Sequence, residues 1–543
     1  MTLLCAPIRI ETIEQAESDA QAARLAGAEL IEFRIDGFFD PDDPSSSDSI
    51  AAMVESSPLP CIVTCRIAAE GGDSDGDDAR RVELFRTLSE LTHPPRYIDL
   101  ELTSFESSSD IRRFAQDLHT KRTADEAAPA VILSTHDFDG RPPDLTRRLA
   151  RMQACDVASV LKIAFRARSL RDNLELFEIL DTRDRPMIAL AMGEFGLMSR
   201  TLAPKFGAFL TFGSVRSEAV TAPGQPTLHE LVESTRFHSL QRSTRTFGVI
   251  GWPVSHSMSP AIHNAGFESS GFDGVYLPLP IPPEWEHFKA TVGALVDDPR
   301  LDFSGASVTI PHKSHLIQLA LEREDEGWVI DDDARAIGAA NTLCRTEEGW
   351  RVANTDAPAI KACLLEHVPS LDQLRVSVIG AGGVARAAVA AVCASGALVT
   401  IHARRAEQAE ELIQAMRDAG VANADALSAA PIDELAASAP DIIIQATPVG
   451  MTDGPAPGEN IIDLDAVATS GHSPIIFETI YNPVETPLMA QAQQRGWRTI
   501  SGVDMFVRQA VAQFTMWTGV EAPISLFRRI VEDQLQSRTD SDA

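Results

Sequence analysis

A chain of 543 residues is long enough for about three or four domains, and 44% hydrophobic with 23% charged side chains excludes wholesale disorder, collagen and a small disulfide scaffold. With 47 basic against 78 acidic residues the net charge is −31, which repels nucleic acid and anionic membranes and obliges any acid-binding site to build its own positive potential. Seven cysteines, an odd and sparse set, point to a reducing compartment.

Residues 1–7 show no basic segment followed by an apolar core, so no signal peptide is expected. The most apolar long stretch, 376–401, contains Arg386 and several glycines and reads as strand, turn and buried helix, so a cytoplasmic chain is expected. Up to about residue 237, short apolar runs alternate with charged helical stretches. The runs fall at 3–8, 30–33, 61–65, 97–100, 131–134, 157–163, 187–191 and 209–212. Eight strands buried on both faces and separated by helices predict a closed (β/α)8 barrel over 1–237. The acidic run 73–78 reads as a solvated loop, and the polar stretch 238–246 as a linker. A second βα domain is expected over 246–366 and a third over 367–504, opened by a strand, turn and helix at 376–394. The helices 505–518 and 524–535 are expected to return to the preceding domain, and 537–543 to fray.

In a parallel barrel, catalytic groups cluster at the C-terminal strand ends. Five predicted strands end in polar or charged residues there: Glu32-Phe33-Arg34-Ile35-Asp36, Thr64-Cys65-Arg66, Asp99-Leu100-Glu101, Ser134-Thr135-His136-Asp137 and Leu161-Lys162-Ile163. A surface ion pair explains any one of them, but not five together. A buried Lys162 must lose its proton or find a counter-charge, and a lysine depressed toward neutrality suits Schiff-base chemistry on a ketone. His136 reads as the proton shuttle and Glu101 as the group orienting it. Arg34, Arg66 and Arg200 supply the local positive field.

In the second half, the turn Gly380-Ala381-Gly382-Gly383-Val384-Ala385 between a strand and a helix suits a pyrophosphate at a helix N-terminus. The next strand ends in Ala403-Arg404-Arg405 without an acidic residue, which favours NADP over NAD, the competing reading being two solvated arginines. Ser257 and Ser259 are candidate anion donors, with N-capping by Ser259 the alternative. Lys313 and Asp356 are a candidate proton donor and partner, while His256, His263, His312 and His315 match no metal-binding spacing, so no metal is expected.

Together and in order, these barrel motifs, with Glu70-Gly71-Gly72, Met192-Gly193, Ser199-Arg200 and Ala222-Pro223-Gly224-Gln225, resemble type I 3-dehydroquinate dehydratase. The resemblance implies an imine at Lys162, proton transfer by His136 with Glu101 behind it, and substrate contacts from Glu32, Arg34, Arg66, Arg200, Thr221 and Gln225. The stretch 246–535 resembles shikimate dehydrogenase through 257–260 with Ile262-His263-Asn264, Ser307-Val308-Thr309 with Lys313, Gly338-Ala339-Ala340-Asn341-Thr342, Asn354-Thr355-Asp356, the glycine turn, 446–451, Tyr481-Asn482-Pro483 and 505–509. That resemblance implies a two-lobed α/β dehydrogenase with a Rossmann nucleotide-binding domain. Substrate contacts would come from Ser257, Ser259, Thr309, Asn341, Tyr481 and Gln509, with Lys313 and Asp356 as the catalytic pair. The cofactor NADP would meet Gly380, Gly382, Gly383, Val384, Ala385, Arg404, Arg405, Thr447, Met451 and Gly502. Two positions depart from the family pattern: Ala357-Pro358 stand where glycine is usual, and Ala403 where asparagine is usual.

The expectation is therefore a bifunctional enzyme whose first half makes 3-dehydroshikimate and whose second half reduces it to shikimate, its partners being small molecules. The alternatives are a quinate-specific dehydrogenase half or a non-catalytic sensor of these metabolites.

Overall fold

A computed structural model describes residues 1–75, 77–216, 221–452, 454–469, 471 and 473–542. The chain separates into two compact units, Met1–Thr244 and Arg245–Ala543.

The first unit is built on β1 (Leu3–Arg9), β2 (Leu30–Arg34), β3 (Cys61–Thr64), β4 (Tyr97–Glu101), β5 (Ala130–Asp137), β6 (Val160–Arg166), β7 (Met187–Met192) and β8 (Leu210–Phe212). All pair in parallel, in the order β7-β6-β5-β4-β3-β2-β1-β8. The bond from Phe209 N–H to Met187 O, 2.8 Å, brings the two ends of the sheet together and nearly closes the barrel. The strand period of two then sorts the interior into layers. Leu30, Ile62, Ile132, Val160 and Ile188 pack as an apolar floor. Two residues further along their strands stand Glu32, Thr64, Ser134 and Lys162, with Asp99 beside them on β4, so the same alternation that builds the core delivers a charged layer above it. The outward-facing residues, among them Ile31, Phe33, Val63, Ile98, Leu100 and Val131, pack against the helices.

The acidic run is exposed at Asp73, Asp75 and Asp77, as expected of a solvated loop, but it is also pinned. Asp73 pairs with Arg9, Asp77 caps the helix Asp78–Ser89, and Asp78 pairs with Arg81; Gly76 lies outside the described residues. These partners are distant or helical, so charge density alone could not reveal them.

The second unit holds two sheets. The first contains β9 (Arg245–Gly251), β10 (Gly274–Pro280), β11 (Phe303–Val308), β12 (Trp328–Ile330), β13 (Thr342–Arg345) and β14 (Trp350–Ala353), in the order β10-β9-β11-β13-β14-β12. It is mixed, because β13 runs antiparallel to both β11 and β14. The hairpin turn is closed by Thr346 N–H donating to Gly349 O at 2.7 Å, an irregularity that the βα expectation did not contain. The second sheet, β15 (Arg375–Ile379), β16 (Leu398–His402), β17 (Ser428–Ala429), β18 (Ile442–Gln445), β19 (Ile475–Glu478) and β20 (Thr499–Ile500), is parallel throughout, in the order β17-β16-β15-β18-β19-β20. The strand order reverses direction at β15 and β18, which opens a crevice at their C-terminal ends. The helices Gly502–Thr518 and Ile524–Asp542 bury Phe506, Phe514, Phe527 and Leu535 against Phe247 and Tyr276 of the first sheet and Ile262 of the helix Ser259–Ser270. The last helix stays helical to Asp542 where fraying was expected; Ala543 lies outside the described residues.

Candidate active sites

In the barrel mouth, Lys162 Nζ donates to Glu32 Oε1 at 2.9 Å and to Asp99 Oδ2 at 3.1 Å, and sits 4.9 Å from the centre of the Phe212 ring. The amine therefore has two counter-charges, and its layer is not the apolar interior that the run Val160-Leu161-Lys162-Ile163 suggested. Asp99 also accepts from Ser134 Oγ at 2.6 Å and pairs with Arg66 at 2.9 Å. Burial raises the Asp99 carboxyl, but Arg66 and Lys162 outweigh it and hold it well below the usual carboxylate range.

Glu101 does not orient His136. Its Oε1 accepts from Arg66 Nη1 and Ile67 N–H, both at 3.2 Å, and its Oε2 from Arg81 Nη2 at 2.6 Å. Two buried guanidiniums claim it, and a buried carboxylate between two cations has no capacity left for an imidazole. Glu70 takes the assigned place. Its Oε2 accepts from the His136 backbone N–H at 2.9 Å and lies 3.1 Å from Nδ1, while Oε1 accepts from Thr103 at 3.2 Å. Glu70 ends a short turn, Ala68–Glu70, and is followed by Gly71 at φ +77, a left-handed position against the Phe138 ring where no side chain fits. Burial lowers His136 well below the usual imidazole range, assisted by the charges of Arg66 and Lys162. Burial raises Glu70 to about 7.

Arg34 is held by Asp36 in a bidentate pair at 2.8 and 2.9 Å. Arg200, on the helix Leu197–Thr201, is different: it is 1% exposed, lines the same pocket, and leaves Nε and Nη2 without a partner. Burial lowers it to about 10. Gln225 accepts from Thr221 N–H (3.1 Å) and Oγ1 (3.0 Å) and likewise leaves its buried Nε2 unpartnered. Buried donors without acceptors are costly, and these three nitrogens beside one pocket make a ready anion site.

In the second unit a cavity of about 420 Å³ is lined by Ser257, Ser259, Thr309, Lys313, Asn341, Asp356, Tyr481 and Gln509, and on its other side by Val384, Thr447, Met451 and Gly502. Lys313 Nζ donates to Asp356 Oδ2 at 2.5 Å, and Asn341 Nδ2 donates to Asp356 Oδ1 at 2.9 Å. Asp356 opens the helix Asp356–Leu365, whose first two N–H groups donate to Asn354 Oδ1 at 3.0 Å each; Pro358, lacking an N–H, fits that first turn. Ser259 N–H donates to Ser257 Oγ at 3.3 Å, leaving the Ser257 hydrogen available to an anion. Gln509 spends one N–H on Phe506 O at 2.9 Å, and Tyr481 stacks on Phe506 at 4.4 Å.

The glycine turn fits a dinucleotide. Gly380 has φ +115, and a Cβ there would come within 2.9 Å of Ala446 O; at Gly382 nothing lies within 4 Å. The helix Gly383–Cys393 starts beyond it, so the Gly383, Val384 and Ala385 N–H groups are intrinsically unsatisfied within the helix. Ala385 is itself buried, so only its backbone is on offer. Arg404 and Arg405 follow β16 and are exposed. Of the histidines, His263 is enclosed by Tyr276, Phe514, Trp517 and Phe527, and His312 lies 3.0 Å from His315. Among the described residues no helix is long and apolar enough to cross a membrane.

The family model for type I 3-dehydroquinase matches residues 4–241. The shikimate dehydrogenase substrate binding domain matches 249–343, the shikimate/quinate 5-dehydrogenase model 363–451, and the shikimate 5'-dehydrogenase C-terminal domain 502–532. The chain is 35% identical over 547 aligned positions to the bifunctional 3-dehydroquinate dehydratase/shikimate dehydrogenase, chloroplastic, of Arabidopsis thaliana, covering 98% of this chain and 84% of that one. The chain belongs to the bifunctional 3-dehydroquinate dehydratase/shikimate dehydrogenase family. To the pentafunctional AROM polypeptide of Malassezia globosa it is 30% identical, over 92% of this chain but 30% of that one. To the shikimate dehydrogenase (NADP(+)) of Methanosarcina acetivorans it is 38% identical, over 54% of this chain and 99% of that one. In this family member Glu70 and Asp99 stand within the motifs, but nothing in their local sequence assigns either a role. A glycine pair directly after an acid was the one signal that could have singled out Glu70.

Proposed function

We propose that the first unit dehydrates 3-dehydroquinate to 3-dehydroshikimate and that the second reduces this product to shikimate with NADPH. The observation that carries the reading is the barrel pocket, where Lys162, His136 and the unpartnered donors of Arg200 and Gln225 line one cavity. Arg200 and Gln225 take the substrate carboxylate and hydroxyls. As the ketone arrives, a Lys162 proton passes to Glu32, because Asp99 is held ionised by Arg66. The freed amine adds to the carbonyl and water leaves, giving the imine. Neutral His136, held through Nδ1 by Glu70, removes the α-proton with Nε2, then returns it to the departing hydroxyl. Water hydrolyses the imine and restores Lys162.

In the second unit Ser257 and Ser259 hold the carboxylate, and Thr309, Asn341 and Gln509 hold ring hydroxyls, with Tyr481 as a wall. Lys313 supplies the proton to the carbonyl oxygen, and Asp356 holds the lysine at that distance. NADPH supplies the hydride when bound. The turn Gly380-Ala381-Gly382-Gly383 would hold its pyrophosphate and Arg404 and Arg405 its 2′-phosphate, and Thr447, Met451 and Gly502 line the cavity. The free thiols of all seven cysteines suit cytoplasmic chemistry.

Borohydride trapping with dehydroquinate, followed by mass mapping, should label Lys162; a label elsewhere, or none, refutes the imine. Lys162→Ala should remove only the dehydratase activity and Lys313→Ala only the dehydrogenase. Shikimate oxidation should outpace quinate oxidation, and NADP should outperform NAD by a margin that Arg404→Ala narrows.

A further inference from the structure

Arg200 lines the barrel pocket with Nε and Nη2 unpartnered, so its guanidinium is not held in place at those atoms. Its backbone must do the aiming, yet the helix that bears it, Leu197–Thr201, has five residues and is too short to be stable without outside support. Part of that support is one side chain behind the pocket. Asn173, on the helix Arg171–Asp181, is fully buried and does not line the pocket. Its Oδ1 accepts from Ser199 N–H at 3.1 Å, and its Nδ2 donates to Phe195 O at 2.8 Å and to Leu170 O at 2.9 Å. A backbone N–H only donates and a carbonyl only accepts, so the amide has one orientation and both of its hydrogens are in use. Leu170 O belongs to the turn that starts the same helix, where Asn173 N–H also donates to it at 3.1 Å. Phe195 O and Ser199 N–H bracket 195–199, the residues directly before Arg200.

The same segment is fixed to the strand and to the other anion donor. Ser199 Oγ accepts from Ala191 N–H at 2.9 Å and donates to Gly196 O at 2.8 Å, which ties the segment to β7. A Cβ at Gly196 would come 2.4 Å from Ala191 O, so the segment has no room to move toward the strand. Gly196 N–H donates to Gly193 O, and Gly193 N–H to Pro223 O, both at 2.9 Å, which joins it to the turn leading to Gln225. We infer that Asn173 is a positioning residue for the dehydratase, aiming Arg200 at the substrate carboxylate through the backbone of 195–199 without touching substrate itself. This rests on the dehydratase reading given above. The carboxylate keeps its charge from substrate to product, so a misaimed Arg200 weakens ground state and transition state alike, and the loss falls on KM.

The test is steady-state dehydration of 3-dehydroquinate by the full chain, wild type against Asn173→Ala, Arg200→Ala and the double variant, with thermal melting to confirm folding. Asn173→Ala should raise the dehydroquinate KM about 10- to 30-fold, the worth of one or two hydrogen bonds, while kcat changes less than about 3-fold. In the Arg200→Ala background the same substitution should leave kcat/KM within about 2-fold, because the group it aims is gone. An unchanged KM, a loss confined to kcat, or an equal loss with and without Arg200 overturns the proposal. Should Asn173→Ala not fold, Asn173→Asp keeps the shape and the acceptor for Ser199 but has at most one hydrogen for the two carbonyls, and should likewise raise KM; no rise there overturns it. A wild-type chain that dehydrates no dehydroquinate would instead refute the functional reading itself.

Discussion

Glu70 Oε2 lies 3.1 Å from Nδ1 of His136 and accepts the backbone N–H of the same residue at 2.9 Å, so one carboxylate oxygen fixes both the ring and the strand end that carries it. Glu70 reaches that place from a loop after β3. The loop is pinned by Asp73, whose N–H donates to Asp36 at 3.1 Å and whose carboxylate pairs with Arg9.

This contact sets a pH dependence. Burial raises Glu70 to about 7. Above that pH the carboxylate accepts Nδ1–H and leaves Nε2 free as a base; below it the protonated acid can donate to Nδ1 and move the imidazole hydrogen to Nε2. The dehydratase kcat/KM should therefore rise with pH through about 7. Glu70→Gln should flatten that limb and lower the plateau about 10- to 100-fold. A limb that survives in Glu70→Gln assigns the titration to another group.

Glu101 predicts the opposite pattern. Replacing it by Leu leaves Arg66 and Arg81 buried with one carboxylate fewer, and should destabilise the first unit by about 3–5 kcal/mol. The pH limb of the residual dehydratase activity should stay near that of the wild type, since Glu101 does not touch His136. Urea unfolding and a pH–rate profile on the same variant check both; a displaced limb would return Glu101 to the proton-transfer machinery.

Gly383 should matter to Lys313. A Cβ at that glycine would come 2.8 Å from Lys313 Cδ and 3.0 Å from its Cβ, so the turn leans on the lysine stem. Gly383→Ala should displace the amine from Asp356 and lower dehydrogenase kcat about 10- to 100-fold at saturating cofactor. Dehydratase activity should be untouched. An unchanged kcat would show that the lysine is held elsewhere.

Glu478 stores a pH-dependent penalty. It is fully buried, accepts from Ile480 N–H (3.1 Å) and Thr486 Oγ1 (2.9 Å), and burial raises it to about 7. Its folded pKa exceeds the unfolded value, so the folded state binds more protons between about 4.5 and 7, and stability falls as pH rises through that window, by about 3 kcal/mol in all. Glu478→Gln should remove the fall and raise the melting temperature of the second unit at pH 8. Equal melting of the two proteins at pH 8 would contradict it.

The barrel strands were legible because a strand buried on both faces is a local signal: apolar runs near Leu30, Ile62, Ile132 and Ile188 lie where β2, β3, β5 and β7 form. Part of the barrel pocket was legible for a related reason. Polar side chains such as Glu32, Asp99 and Lys162 interrupt runs that burial would otherwise keep apolar. The antiparallel pair β13 and β14 was not, since its run lengths match those of a parallel strand and only the short turn before Gly349 sets its direction.

By itself, then, the sequence determined which residues alternate into each interior and which motifs open each helix, since both depend on neighbours a few positions apart. Only the tertiary structure decided partnership: that Glu70 and not Glu101 meets His136, that Lys162 shares two carboxylates, and that Tyr276, Ser307 and Gln513 join in one directed line. Hydrogen bonds and ion pairs of this kind join atoms 31 to 206 residues apart, and their choice follows from strand stagger and loop docking, neither of which leaves a periodic trace in the chain.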